Sequence, residues 1–307
     1  RDTKASPVRR GVVMALDLEA YDFNKGSGSL VRATEGTVVE RIPPRMKIRK
    51  NAVLEMPHVM IWIDDPERTV VETLFEADSQ MAYDFELMEK GGHIKGRRLT
   101  DLSAIKKAAE ALRMLGNKKH FTQKYGVPEN TPVLLYAVGD GNHSLASAKC
   151  HWEELKKQGA DPAHPARYAL VEVVNIHDEG IVFEPIHRVL FHVNPAHFFD
   201  ELQGYFTDKA SYMENIVDMD AAEYPGCHTV KYVGLGCKGN VFIDKQVHTL
   251  AVGALQEFID YYLKGHPESR VDYIHGDDVV AELGSQPGNI GFYLPAIDKN
   301  DFFKTVI

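Results

Sequence analysis

The residues best suited to chemistry are Gly139-Asp140-Gly141-Asn142-His143-Ser144, which follow an apolar run over residues 133–138. Two glycines in so short a stretch let the backbone turn sharply and admit a ligand close to the main chain. A helix starting here leaves its first N–H groups without intrahelical acceptors and carries a partial positive charge. Asn142, His143 and Ser144 could then offer amides, a ring N–H and a hydroxyl to phosphate oxygens. The same residues admit a plainer use, with Asp140 or Asn142 capping the helix as in any strand-to-helix turn.

Other chemistry-bearing patterns carry less. Gly234-Leu235-Gly236-Cys237-Lys238-Gly239 fits G-x-G-x-x-G, but a dinucleotide fingerprint needs a helix to follow, and Asn240-Val241-Phe242-Ile243-Asp244 reads as a strand, so a glycine-rich hairpin is expected. A P-loop is absent from the sequence. The 14 histidines include no H-E-x-x-H, and His228 beside Cys227 is the nearest approach to metal-ligand spacing. Cys150, Cys227 and Cys237, three in number and without CxxC spacing, argue against a disulfide framework and fit a reducing cytoplasm. Arg41, Arg45, Lys47, Arg49 and Lys50 make a basic patch, either a solvated face or a contact for phosphate or carboxylate.

These residues need a scaffold, and 307 residues with 44% hydrophobic and 26% charged side chains suffice for one large core or two linked lobes. A net charge of -9 would repel a nucleic-acid backbone. With apolar runs only strand-sized, neither nucleic acid nor membrane is an expected partner. Arg1 opens the chain without a signal pattern, which reads as a start inside a longer protein or after a removed segment.

Leu145, Ala148, Trp152 and Leu155 recur at helical spacing to about Lys157, so the turn is flanked by strand and helix. A second helix carries Ile105, Ala108, Ala109, Leu112 and Leu115, with Asp101 and Ser103 as caps and Gly116 as stop. Residues 12–18, 59–63 and 82–88 read as strands and 67–77 as a short helix. Residues 168–176 and 181–193 read as a hairpin about His177-Asp178-Glu179-Gly180. Helices near 195–205, around Leu255, Phe258, Ile259 and Tyr262, and at 298–305 alternate with strands at 229–233, 241–243, 271–275 and 289–294.

The turn resembles the D-G-H-H-R turn of the ParB/sulfiredoxin superfamily, particularly its ADP-dependent free serine kinase branch, in which an upstream K-P-H-E or R-P-H-E motif supplies a glutamate base. Arg32-Ala33-Thr34-Glu35 stands in that place. More closely, the chain is similar to the bacterial family called domain of unknown function 1015. The matching stretches include Arg32 to Thr37, Arg41-Ile42-Pro43-Pro44-Arg45, Gly91 to Gly96, Asp140 to Lys149, Pro185-Ile186-His187-Arg188 and Val271 to Gly276. Asn142 and Ser144 depart from the first His and the Arg of the motif, and Ala33 and Thr34 from its Pro and His. Losing that Arg removes a fork-shaped cation suited to phosphate.

The resemblance implies an α+β fold: a ParB/sulfiredoxin-like mixed sheet with flanking helices over residues 1–193, a family-specific insertion at about 65–130, and a C-terminal α/β part over 194–307. It implies a small-molecule kinase using ADP or ATP with Mg²⁺, with Glu35 as catalytic base and Gly139, Asp140, Gly141, Asn142, His143 and Ser144 holding phosphates. Arg32, Thr37, His187 and Arg188 would lend support, and Asp140 could meet the metal or a ribose hydroxyl. The partners expected are a nucleotide and an acceptor hydroxyl on an amino acid or similar metabolite. A nucleotide sensor without catalysis, and an interaction protein without nucleotide, are the alternatives.

Overall fold

The computed structural model describes residues 8–24, 26–34, 41–54, 56, 58–207, 209–214, 225–248 and 250–307. Contacts divide the chain into Arg1–Val182 with Lys299–Ile307, and Phe183–Asp298. The first unit runs β1 (Val12–Asp17), β2 (Tyr21–Asp22), β3 (Val31–Ala33), α1 (Ile42–Lys50), β4 (Val59–Ile63), α2 (Val71–Phe75), β5 (Ser79–Glu86), β6 (His93–Leu99), α3 (Leu102–Leu115), α4 (Lys118–Tyr125), β7 (Tyr136–Asp140), α5 (Asn142–Lys157) and β8 (Tyr168–Asn175).

Six of these strands make a mixed sheet in the order β1-β8-β4-β7-β3-β2. β4 runs parallel to β8, and β3 parallel to both β7 and β2, while β1 opposes β8 and β7 opposes β4. Val59, Ile61 and Ile63 of β4 and Val171 and Val173 of β8 point alternate side chains into a core that Leu145, Ala148 and Trp152 of α5 close. Those helical residues recur at three- and four-residue intervals, so one face of α5 is apolar. Each such buried aliphatic side chain contributes about 1.5–3 kcal/mol. In the expected insertion, the Asp101 carboxylate caps α3 by accepting from the amides of Ser103 and Ala104, and Ala108 and Phe121 are buried. Among the described residues β5 and β6 pair only with each other.

The second unit runs β9 (His187–Phe191), α6 (Pro195–Phe206), β10 (Ala210–Glu214), β11 (Cys227–Gly234), β12 (Cys237–Asp244), α7 (Ala251–Gly265), β13 (Arg270–Ile274), α8 (Asp277–Gly284) and β14 (Asn289–Tyr293). Its strands, ordered β10-β12-β11-β14-β9-β13, are antiparallel throughout. Phe198, Phe199 and Leu202 of α6 and Leu255, Phe258 and Ile259 of α7 fill its core. The G-x-G-x-x-G run is a hairpin, with Gly234 opposite Cys237 and Gly236 at φ 68°. The chain then returns through α9 (Lys299–Val306) to the first unit.

The class is therefore α+β, as expected, with two departures in detail. The expected hairpin over 168–193 does not form: β8 pairs with β1 and β4, whereas β9 pairs with β13 and β14. The turn itself exists, since Asp178 accepts from the Gly180 amide at 2.7 Å, but Asp178 also accepts from the Arg10 amide, so the turn is tied back to the first unit. For the same reason the division falls after Val182 rather than after residue 193. Among the described residues no helix is long and apolar enough to cross a membrane.

Candidate functional site

β7 delivers the candidate turn, and β3 runs beside it in the same direction, with Val31, Arg32 and Ala33 opposite Tyr136, Ala137 and Val138. Both strands therefore end at the same edge of the sheet. On the other side β4 slips register: Met60 faces Asp140 but Ile61 faces Val138, leaving Gly139 as an extra residue. A Cβ on Gly139 would stand 2.3 Å from the Trp62 ring. The expectation that Gly139 opens space for a ligand is thus corrected, because the indole fills it.

Gly141 is the residue whose conformation makes the turn. It sits at φ 87°, ψ 24° in the cap position of the 16-residue α5, a left-handed conformation that side chains disfavour. A Cβ there would also press on Val59 at 3.1 Å. As glycine, it brings no side-chain acceptor to the first amides of α5, and no acidic residue lies in that first turn. Asp140 does not cap the helix, since its carboxylate accepts from the Gly141 N–H at 2.7 Å, one residue short of the helix.

Asn142 does not cap it either. Its side chain is buried, 4% exposed, and its Oδ1 accepts from the Thr34 N–H at 3.3 Å. The Thr34 hydroxyl in turn donates to the Val138 carbonyl at 2.6 Å and lies 3.5 Å from Asn142 Nδ2. Asn142 thus braces the end of β3 against the start of α5, and only its backbone amide remains on the face expected to meet phosphate. His143 and Ser144 are half-buried in the first turn, where the His143 carbonyl accepts from Ser147 Oγ at 2.7 Å. Thr34, a brace that sequence reasoning passed over, was visible only as a departure from the superfamily motif.

The supporting residues fall differently. Arg32 is buried, and its guanidinium donates to the carbonyls of Ser29, Pro132 and Val133 at 2.9, 2.9 and 3.2 Å. It ties β3 to the approach of β7, and burial holds it below its usual range; it is not a phosphate arm. His187 and Arg188 belong to the second unit and are committed there. The Leu294 amide donates to His187 Nδ1 at 3.0 Å while Nε2 meets Asp277 at 2.8 Å. Arg188 donates to Gln256 and Ile186 and stacks 4.3 Å over Tyr273, and burial lowers its pKa. Glu35 and Thr37 lie outside the described residues.

With Arg32 and Arg188 committed elsewhere, the basic patch is the next source of cations for a turn that lacks the motif's arginine. The patch is α1, begun by Pro43 and Pro44 in its first turn and packed along α5. Arg45 and Lys47 are exposed, and Lys50 lies 3.7 Å from Glu154 of α5. Among the described residues no group of three or more His, Cys, Asp or Glu side chains could hold a metal. A divalent ion here would need phosphate oxygens beside the exposed Asp140 carboxylate, which suits Mg²⁺.

The class that fold and site define is an α+β protein with a glycine turn between a buried strand and a long helix. The chain belongs to the family described as "Protein of unknown function (DUF1015)", matched over residues 1–293. No curated protein matches it. Solved structures similar to it include a mutant of a free serine kinase in complex with ADP, at 10% identity and TM-score 0.44, covering 97% of this chain and 82% of that one. A conserved hypothetical protein from Pyrococcus furiosus matches at 12% and 0.41, covering 96% and 84%. SbnI with a C-terminal truncation, from Staphylococcus aureus, matches at 12% and 0.41, covering 96% and 76%.

Proposed function

We propose that the first unit is a small-molecule kinase that holds the phosphates of ADP or ATP at Gly141-Asn142-His143-Ser144. The observation that carries this reading is the start of α5: a left-handed glycine, no capping by Asp140 or Asn142, and no acid in the first turn. Such a start favours a multiply charged anion through its amides and helix dipole. The superfamily resemblance of Asp140 to Ser144 and of Arg32 to Glu35 supports the same reading.

Phosphoryl transfer asks the protein mainly to position reactants and neutralise charge. The turn positions the phosphates, and α1 offers Arg45 and Lys47 as cations. Mg²⁺, with Asp140 as its protein ligand, would neutralise phosphate charge when bound. Glu35, next in sequence to Thr34, takes the proton of the acceptor hydroxyl as its oxygen bonds to the terminal phosphorus and the bridging P–O bond breaks.

The test is a coupled assay with ADP or ATP, Mg²⁺ and a panel of hydroxy amino acids and sugars. Nucleotide should be consumed only when an acceptor is present, and Glu35→Gln should abolish turnover while leaving nucleotide binding within about threefold. Turnover that survives Glu35→Gln removes the base assignment. The inward turn of Asn142 and the serine at 144 favour a second reading, a nucleotide sensor, for which binding without consumption would be diagnostic. Absence of thermal stabilisation by millimolar nucleotide with Mg²⁺ defeats both.

A further inference from the structure

Among the described residues the strands β5 and β6 pair with no other strand, and Leu99, at the base of the ribbon, packs against the core of the first unit. Every residue of β5 except Ser79 is exposed, and β6 is exposed or half-exposed throughout. A two-stranded ribbon by itself is marginal in water and needs a third layer against an apolar face.

This ribbon has such a face. Tyr83 and Phe85 point to the same side with ring centroids 5.9 Å apart. Phe85 pairs with Ile94, and the Tyr83 ring lies over Gly96, where a Cβ would stand 2.1 Å from it. Leu87 continues the row and Met88 stands at the tip. Tyr83, Phe85, Leu87 and Met88 are 43, 51, 39 and 86% exposed. The opposite side is polar and internally paired: Asp84 meets Lys95 at 3.2 Å, and His93 bridges Glu86 and Asp84.

We propose that this apolar face is the contact through which two copies of the chain pair about a two-fold axis, Phe85 and Ile94 of one against the same residues of the other. Area and charge favour a second copy. Large side chains exposed to this extent offer on the order of 500 Å². Two such faces reach the roughly 1,000 Å² that a specific interface requires. The chain carries a net charge of -9, so two copies repel one another on net charge. This face carries no acid among its core residues, and the acids behind it are matched by Lys95 and His93. A two-fold contact is self-complementary and closes on itself, giving a dimer rather than a filament.

Sedimentation equilibrium of the whole chain between about 1 and 100 µM should give twice the monomer mass at the upper end. Phe85→Glu and Tyr83→Glu should each weaken association at least 100-fold without moving the melting temperature of the cores, since neither side chain packs in them. Asp84→Ala, on the polar side, should change it less than threefold. A wild-type chain that stays monomeric at 100 µM overturns the proposal. So does a dimer indifferent to Phe85→Glu, or one that Asp84→Ala weakens as strongly.

Discussion

At the scale of single residues, the candidate turn separates two uses of one side chain. Asn142 stands where the superfamily motif has a histidine, yet its carboxamide faces inward to Thr34. Asn142→Ala leaves the Thr34 amide without its acceptor, a loss of about 1–3 kcal/mol. Asn142→Asp keeps an acceptor for that amide and puts a negative charge at a helix start, but it buries that charge and sets a carboxylate oxygen against the Thr34 hydroxyl oxygen, whose proton is given to Val138, so it too should lose about 1–3 kcal/mol. The same charge repels phosphate, and nucleotide affinity should fall at least tenfold. Chemical denaturation and calorimetric titration of the two variants check the pair of outcomes. If Asn142→Asp binds nucleotide like wild type, phosphates do not sit at this turn.

At the scale of elements, the ends of β4 and β8 and the helix α4 meet at Asp64. Its buried carboxylate accepts from His177 Nε2 at 2.7 Å, from Lys124 Nζ at 2.9 Å and from the Tyr125 hydroxyl. Burial alone would raise its pKa, but the three donors prevail and hold it below the ordinary 3.8. Because the folded-state value is depressed, the stabilisation is fully present above 3.8 and is lost as pH falls through the folded value. Asp64→Asn should therefore cost about 3 kcal/mol at pH 7, and the gap from wild type should narrow at pH 3. A gap independent of pH, followed by denaturant titration, would remove the charge from the explanation.

The elements also show what a linear reading can reach. α3 and α5 were legible because their apolar residues recur at helical intervals, and Asp101 was recognisable as a cap. α1 was not: only Ile42 of its nine residues is buried, so no apolar stripe marks it, and Pro43-Pro44 resembles a breaker unless the helix start is known. β2 and β3, two and three residues long, give no alternation to detect. At the site, the glycine turn could be read locally, whereas the Thr34–Asn142 brace joins residues 108 apart. The role of Arg32 is hidden from a linear reading for the same reason, since two of its carbonyl partners lie 100 and 101 residues away.

At the scale of the whole molecule, the first unit is discontinuous. α9 returns to it with Phe302 edge-on to Trp62 at 4.9 Å, Phe303 stacked on Tyr125, and Lys299 donating to the Asp178 carbonyl at 2.7 Å. Ending the chain after Asp298 removes two buried aromatic side chains, and should cost the first unit at least about 3 kcal/mol. Hydrogen exchange should then show faster exchange in β4 and α4, with α6 and α7 as protected as before. Equal loss in both sets would mean that the units do not respond separately. The same arrangement sets an order of assembly. On the ribosome, residues 183–298 are all synthesised before the segment that completes the earlier core, so Trp62 and Tyr125 gain their aromatic partners on α9 only after the whole chain of the second unit has been made.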